Sequence, residues 1–535
     1  MFINTNLKLI FICYFMRKKM GIINNVNFYK ETVPEIFEEL PVPPVHSRVV
    51  IIGSGFGGSI TAHRLAQAGI GSTILERGSY WPRSRTRTIF SNETMPDGRG
   101  FWHKKGMFKM LNTLTAVVDD FGGVADVTSY ENIDVWRGAC VGGGSIVFTG
   151  VMIQPEREYF DILFNNVVNY DEMDSVYYPL VRKELNLAPI AQDIYDSAPF
   201  GHSRVWDQQS RKAGYHPYKT DTIFSDDVVR DELDGKVRAS AIIGESTLGN
   251  SNGAKFDLTQ NYLKYAQDSG LAKVFPGQQV KGLSYDGTHY HVDVDTLHPD
   301  GTVLHSRTLT CEYLFLAAGS IGTSELLVKA KSLGEIPDLN DAIGKGWGTN
   351  GDALVARSFG RIEGFVQAAP SASKIDDKTS SEMPVTLENW YVPGIPVNIG
   401  VIGSLGMAFD VKNRGEFVYD QENDKVELLW SRNGNDEAVE AIRKVNTRIA
   451  DASLGVPGVP LLVPDVSAEF TAHPLGGAVI GQATDNYGRV LGTDKLYVMD
   501  GALMPGSAGL VNPSLTISAL AERNIAEIVR TDFIA

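Results

Sequence analysis

The chain has 535 residues, with 64 Asp plus Glu against 49 Lys plus Arg and a formal net charge of −15. That sign excludes a protein that coats nucleic acid, and 43% hydrophobic residues exclude a disordered chain. Three distant cysteines (Cys13, Cys140, Cys311) exclude a disulfide framework or a Cys-rich zinc site, and at roughly 100–200 residues per domain the length predicts two or more domains or one large α/β domain with insertions.

Residues 7–16, LKLIFICYFM, are too short an apolar run to span a bilayer. No small-residue cleavage site follows, so residues 1–19 are expected to be an overlong start with Met20 as the initiator. A membrane-touching anchor and a weak export signal are the alternatives, and the compartment stays open. Residues 21–48 are polar and then Pro-rich (Pro34, Pro41, Pro43, Pro44), and read as an arm leading into the first domain. Residues 49–52 form an apolar strand, followed by glycines, a helix with apolar Ile60, Leu65 and Ala68, and a second strand at 72–75: a βαβ unit. Residues 280–315 alternate apolar and polar (Tyr290, Val292, Val294), as half-exposed antiparallel strands do. Residues 313–316 are a strand opening into Ala317-Ala318-Gly319-Ser320. Short β-like runs such as 397–401 follow between 360 and 432, and 436–450 look helical. A strand at 496–499 ends at Asp500-Gly501, and Ile517, Leu520, Ala521, Ile525 and Ile528 mark a closing amphipathic helix.

This order predicts an α/β nucleotide fold interrupted by a sheet-rich (α+β) domain. The expected division is an N-terminal extension (1–44), a discontinuous nucleotide-binding domain (45–150 with 235–330 and 470–535) and a substrate-binding domain (151–234 with 331–469).

The segment VVIIGSGFGG contains G-x-G-x-x-G as Gly53, Gly55 and Gly58. It follows a strand, opens a helix, and has an acid, Glu76, 18 residues after its last glycine at the end of the next strand. Gly53 allows the tight turn, Gly55 lets a pyrophosphate approach the backbone, and Gly58 permits close helix–strand packing. Phe56 and Gly57 open the helix whose N-terminus holds the phosphate charge, and Glu76 is expected to bind adenosine ribose hydroxyls. The motif alone does not separate FAD from NAD. Its place near the start of a long chain, with glycine-rich pieces far downstream, favours FAD, and the acid at the ribose position argues against NADP.

A second glycine run, RGACVGGGS, spans Arg137 to Ser145, and HPLGG, YVMDG and VNP follow near the end of the chain. Together VVIIGSGFGG, GACVGGGSIV, YLFLAAGSIGTSELLVKA, GKGWGTNGD, HPLGG and NPSLTISALAERN resemble the glucose–methanol–choline oxidoreductase family, and within it the cholesterol oxidase branch. The resemblance runs from about residue 49 to the C-terminus. It implies a Rossmann-like FAD-binding domain and oxidation of an alcohol by hydride transfer to flavin N5. His473 and Asn512 match the pair that faces the flavin; both are also chemically suited to a hydroxyl partner. Gly142, Gly143, Gly144, Ser145 and on through Phe148, Thr149 and Val151 match the isoalloxazine loop. Asp500 and Gly501 match the ribityl contact, Pro513 lies beside the ring, and Val280 matches a backbone contact to adenine. Glu388 matches the carboxylate that moves a proton when a 5-ene-3-one is isomerised to the 4-en-3-one.

The implied substrate is a sterol-like secondary alcohol, a 3β-hydroxysteroid, with dioxygen or another electron acceptor as second partner. A monomer is expected, with transient membrane contact to extract substrate and no nucleic acid. Around the flavin this chain departs from the family pattern: Phe148 stands for an Asn, Thr149 for a Gly, Val151 for a Met, and Thr386 and Ser514 for aromatics. These changes leave the electron acceptor open. They also leave room for another bulky or aromatic alcohol, and the same fold hosts a flavin-dependent lyase (decarboxylase). His289 and His291 share a strand face, but no third ligand accompanies them and no metal is expected.

Overall fold

The computed structural model describes residues 26–91, 93, 96–103, 119–358, 364, 366–379, 383–391, 400–453 and 470–533. The apolar run at 7–16 and most of the β-like run at 397–401 lie outside the described residues. A seven-stranded sheet carries the first half of the architecture. Its strand His46–Ile52 pairs in parallel with Ser72–Leu75 on one side and with Val303–Leu316 on the other. Ala272–Phe275 extends it in parallel beyond Ser72–Leu75. Val303–Leu316 is long enough for two neighbours on its far edge. Its first part pairs antiparallel with Tyr290–Leu297, and its last residues pair in parallel with Leu496–Val498. The alternation at 280–315 is thus a meander, Gln278–Tyr285 to Tyr290–Leu297 to Val303–Leu316. All seven strands come from segments 45–150, 235–330 and 470–535.

Val49, Val50, Ile51 and Ile52 are buried, as a strand covered on both faces requires. One covering layer is the helix Phe56–Gln67 with the C-terminal helix Ser514–Asp532 packed on it. The helix Phe56–Gln67 places Ile60 and Leu65 in the core, while Ala68 caps its end. Four parallel strands end on the same side. They deliver Gly53, Glu76, Ala317 and Asp500 to one crevice, the position where open α/β sheets bind ligands.

A five-stranded sheet orders Asp352–Ser358, Val401–Ala408, Val385–Trp390, Ser373–Asp377 and Tyr218–Lys219, antiparallel throughout. One face packs on the helices Gly201–Lys212 and Asp436–Ala452 through Val355, Ile375, Leu387 and Ile402 against Trp206, Ile442 and Val445. The period of two then turns Asp352, Leu354, Leu405, Glu388 and Trp390 to the other face. Gly406 lets the helix Asp436–Ala452 settle on the sheet, since a Cβ there would stand 2.4 Å from Ile442 Cγ2.

The N-terminal segment is packed rather than arm-like. Residues Val26–Thr32 form a helix, and Tyr29, Val33 and Ile36 are buried against Phe121 and Trp81. Tyr29 Oη donates to Asp119 at 2.6 Å and accepts from Gly98 N at 2.9 Å. Among the described residues no helix is long and apolar enough to cross a membrane.

Gly57 tests how the sheet is closed. A Cβ there would meet the carbonyl oxygen of Met499 at 1.8 Å. Helix propensity alone favours Ala over Gly by about 1 kcal/mol, whereas backbone-on-backbone overpacking costs about 1–3 kcal/mol or more. Gly57→Ala is therefore expected to lower the thermal unfolding midpoint, measured by circular dichroism, by several degrees; a rise would mean that the contact is soft.

Candidate active site

Two glycine loops meet backbone to backbone at the strand ends. Gly53 sits at φ +97°, and a Cβ there would strike the carbonyl of Ala317. Gly143 approaches Gly55 so closely that a Cβ on it would lie 2.8 Å from the Gly55 Cα. Ser54 locks the loops together: its hydroxyl accepts from Gly142 N at 3.1 Å and donates to Glu76 at 2.7 Å. Above them lies a cavity of about 610 Å³. At Gly144 and Gly319, which border it, the space a Cβ would fill is open, and Gly55 has nothing closer than 4.0 Å. Bare backbone facing free space at the N-termini of two helices fits a phosphate-linked cofactor with a flat ring, as FAD is.

Of the residues predicted to touch the cofactor, Gly53, Gly55, Phe56, Gly57, Glu76, Gly143, Gly144, Phe148, Thr149, Val151, Val280, Asp500, Gly501, Asn512 and Pro513 border the cavity. Gly58, Gly142 and Ser145 do not. Gly58 is spent on packing, since a Cβ would stand 2.1 Å from the Gly53 oxygen. Gly142 donates to Ser54, and the buried Ser145 hydroxyl bridges Gly142 O and Leu258 N. Glu76 is buried, and both its oxygens already accept protein hydrogens, from Ser54 and from Gly78 N at 3.0 Å. Burial raises its carboxyl above the usual range, with those bonds opposing. Asp500 accepts from Gly319 N (2.9 Å), Thr323 Oγ1 (2.6 Å) and Ala502 N (2.8 Å). Burial pushes its carboxyl up to about 6 despite these bonds. Phe148 turns its ring edge-on to Phe56, with centroids 5.6 Å apart.

His473 follows the strand Phe470–Thr471 and borders the same cavity. Its Nδ1 lies 2.8 Å from Oδ1 of Asp352, which is fully buried. The other Asp352 oxygen lies 3.0 Å from Thr471 Oγ1 and accepts from Ala472 N at 3.2 Å. Burial works against the imidazolium, but Asp352, by charge and hydrogen bond, and Glu388 outweigh it and raise His473 above the ordinary imidazole range. Asn512 Nδ2 donates to Glu388 Oε2 at 3.3 Å. Glu388 is buried and stands behind Asn512 rather than on the cavity wall. Burial pushes its carboxyl up to about 7, opposed by His473, Asn512 and Lys374. Glu388 Oε1 and Asn512 Oδ1 have no hydrogen-bond partner. Two buried orphan acceptors beside an imidazole mark a place where a polar ligand atom completes the network.

Two residues were missed from sequence. Asp352 lies inside GKGWGTNGD, a motif noted above without a role for its acid. A two-way bridge between Gly348 and Leu475 brings that motif against HPLGG. Lys255 gave no signal. Its buried ammonium donates to the carbonyls of Ile146 (2.7 Å), Phe148 (2.9 Å) and Ser246 (2.6 Å), pinning the second glycine loop from behind. Burial lowers its pKa to about 7, partly countered by Asp257 and Glu93. His291 pairs with Asp286 at 2.8 Å, and no group of three metal-ligating side chains occurs among the described residues.

A family model described as GMC oxidoreductase matches residues 415–521, and one described as GMC oxidoreductase, C-terminal, matches residues 350–457. The chain is 26% identical to the cholesterol oxidase of Mycobacterium tuberculosis (strain ATCC 25618 / H37Rv), over 89% of this chain and 90% of that protein. It is 24% identical to the cholesterol oxidase of Acinetobacter baumannii, over 90% and 94%. The crystal structure of pyridoxine 4-oxidase from Mesorbium loti superposes with a TM-score of 0.62 at 14% identity, covering 90% of this chain and 99% of that one. These matches make the chain similar to the glucose–methanol–choline (GMC) oxidoreductases and support an oxidoreductase with FAD as its cofactor.

Proposed function

We propose that this enzyme oxidises a bulky, largely apolar secondary alcohol of the 3β-hydroxysteroid kind to its ketone. The observation that carries the reading is one polar cluster, His473 and Asn512 backed by Glu388, set in a cavity walled by Phe148, Leu354, Trp390, Leu405 and Phe470. Apolar walls suit fused rings, and a single polar end dictates where their hydroxyl lies. Likeness to two cholesterol oxidases supports the same class.

In this reading the neutral imidazole of His473 takes the hydroxyl proton at Nε2. Asn512, one of whose amide hydrogens is held by Glu388, orients the substrate oxygen. When bound, FAD supplies the acceptor for the hydride leaving the carbinol carbon. Gly53, Gly55, Phe56 and Gly57 would hold its phosphates, Glu76 and Val280 its adenosine, Asp500 and Gly501 its ribityl chain. Gly143 to Val151 and Pro513 would flank the ring.

Glu388 is proposed to carry the proton in a following double-bond migration. Because it stands behind Asn512, that amide would have to swing aside for the carboxylate to reach a steroid ring. Proton abstraction needs the ionised form. With the carboxyl raised to about 7 by burial, migration is expected to be slow below that pH and to rise through it.

Anaerobic rapid mixing of the FAD-loaded enzyme with a 3β-hydroxysteroid should bleach the flavin absorbance in the dark. Reduction by aryl alcohols but not sterols would replace the substrate class, and no reduction by any alcohol would favour the lyase reading. Return of colour within seconds of admitting air would identify dioxygen as the acceptor. His473→Ala and Asn512→Leu should each slow the bleaching at least ~100-fold while the bound-flavin spectrum persists. In Glu388→Gln the ratio of conjugated enone to unconjugated ketone should collapse; normal enone accumulation would remove Glu388 from the chemistry.

A further inference from the structure

The Asp352 side chain contacts protein only. It is fully buried, does not border the cavity, and spends both oxygens on the segment Thr471 to His473. A carboxylate can accept hydrogen bonds but cannot donate them. The 2.8 Å contact therefore requires the proton of a neutral His473 to reside on Nδ1, which leaves the lone pair on Nε2.

We infer that Asp352 is a positioning residue: it selects the Nδ1–H tautomer of His473 and fixes the ring so that Nε2 can accept the substrate hydroxyl proton. This rests on the proposed alcohol oxidation with His473 as base. As that proton moves, the O–H bond breaks, an N–H bond forms at Nε2, and the imidazolium so formed remains paired with the Asp352 carboxylate. When bound, FAD would accept the hydride that carries away the carbinol C–H electron pair.

The charged groups that act on the imidazole, and the cation behind them, come from three strands of the five-stranded sheet. Asp352 opens Asp352–Ser358, Glu388 lies on Val385–Trp390, and Lys374, in register with Glu388, lies on Ser373–Asp377. Asp352 and Glu388 both favour the imidazolium, so the base form emerges only above the ordinary imidazole range. Lys374 acts on Glu388 in the opposite sense to burial.

Asp352→Asn is the discriminating change, because it preserves shape and reverses hydrogen-bond polarity at one atom. Ala472 N–H can donate only to the amide oxygen, so the amide nitrogen turns to His473 Nδ1 and donates. Nδ1 must then accept, and Nε2 carries the proton. The anaerobic flavin-reduction rate constant is expected to fall at least ~100-fold. The half-saturating alcohol concentration and the flavin spectrum should change little. The ascending limb of the pH profile should move to lower pH, since one carboxylate no longer holds the proton on the ring. Asp352→Glu, which restores an acceptor-only group, should recover part of the rate. A rate and pH profile in Asp352→Asn like those of the parent enzyme would overturn the inference.

A second measurement needs no variant. In parent enzyme labelled with ¹⁵N-histidine, His473 at alkaline pH should carry its proton on Nδ1, and a proton on Nε2 would equally overturn the role. His473→Ala separates the two levels. Parent-like reduction in that variant would sink the base assignment itself. Slow reduction there, with an unaffected Asp352→Asn, would sink only the positioning role.

Discussion

The cavity floor exists because segments far apart in the chain approach at distances that exclude a methyl group. Gly57 lies against the Met499 carbonyl, Gly53 against Ala317 and Gly143 against Gly55. Each contact joins bare main chain to bare main chain, so none can be adjusted by a side-chain rotamer. Close packing leaves such junctions two options, fit or displacement of a whole element. The strand ends, the two glycine loops and the turn at Asp500 are thereby held as one rigid rim. A cofactor that makes its contacts through main-chain N–H groups needs this kind of rigidity more than it needs particular side chains.

The polar cluster draws on separate parts of the fold. His473 follows the strand Phe470–Thr471, which pairs with Asp134–Gly138 in a small three-stranded sheet, and Asn512 precedes the helix Ser514–Asp532, whereas Asp352 and Glu388 project from the antiparallel five-stranded sheet. One acid of that sheet bonds the imidazole and the other holds the amide. Both links are buried and carry at least one ionisable partner. Burial penalises charge and neighbours restore it, and the balance falls differently at each group. Glu388 is raised by burial, while His473 is raised by its carboxylates in spite of burial. A carboxyl raised by burial and an imidazole raised by its carboxylate neighbours are the kind of shifted pair that proton-moving chemistry uses.

Much of this was legible in the sequence where function depends on local spacing. The strand–glycine–helix unit ending at Glu76 is a main-chain device, and three glycines with an acid at a set distance describe it almost completely. The meander at 280–315 was visible because half-covered strands alternate. Asp352 was not legible as a partner of His473, because the two are 121 residues apart and meet only through a bridge between loops. Lys255 bonds carbonyls, which have no sequence signature. Alternation gives the face on which Glu388 lies but not its depth behind Asn512. The opening segment was misread because its prolines and charges outweighed the buried spacing of Tyr29, Val33 and Ile36.

The seven-stranded sheet has a further meaning for folding. The strand His46–Ile52 and its phosphate loop lie far along the chain from the turn on which Gly57 rests and from the helix that covers Phe56–Gln67. Contacts of such high sequence separation form slowly, because loop closure has to precede them. Until the two distant pieces dock, the buried face of Phe56–Gln67 is open to association with other chains.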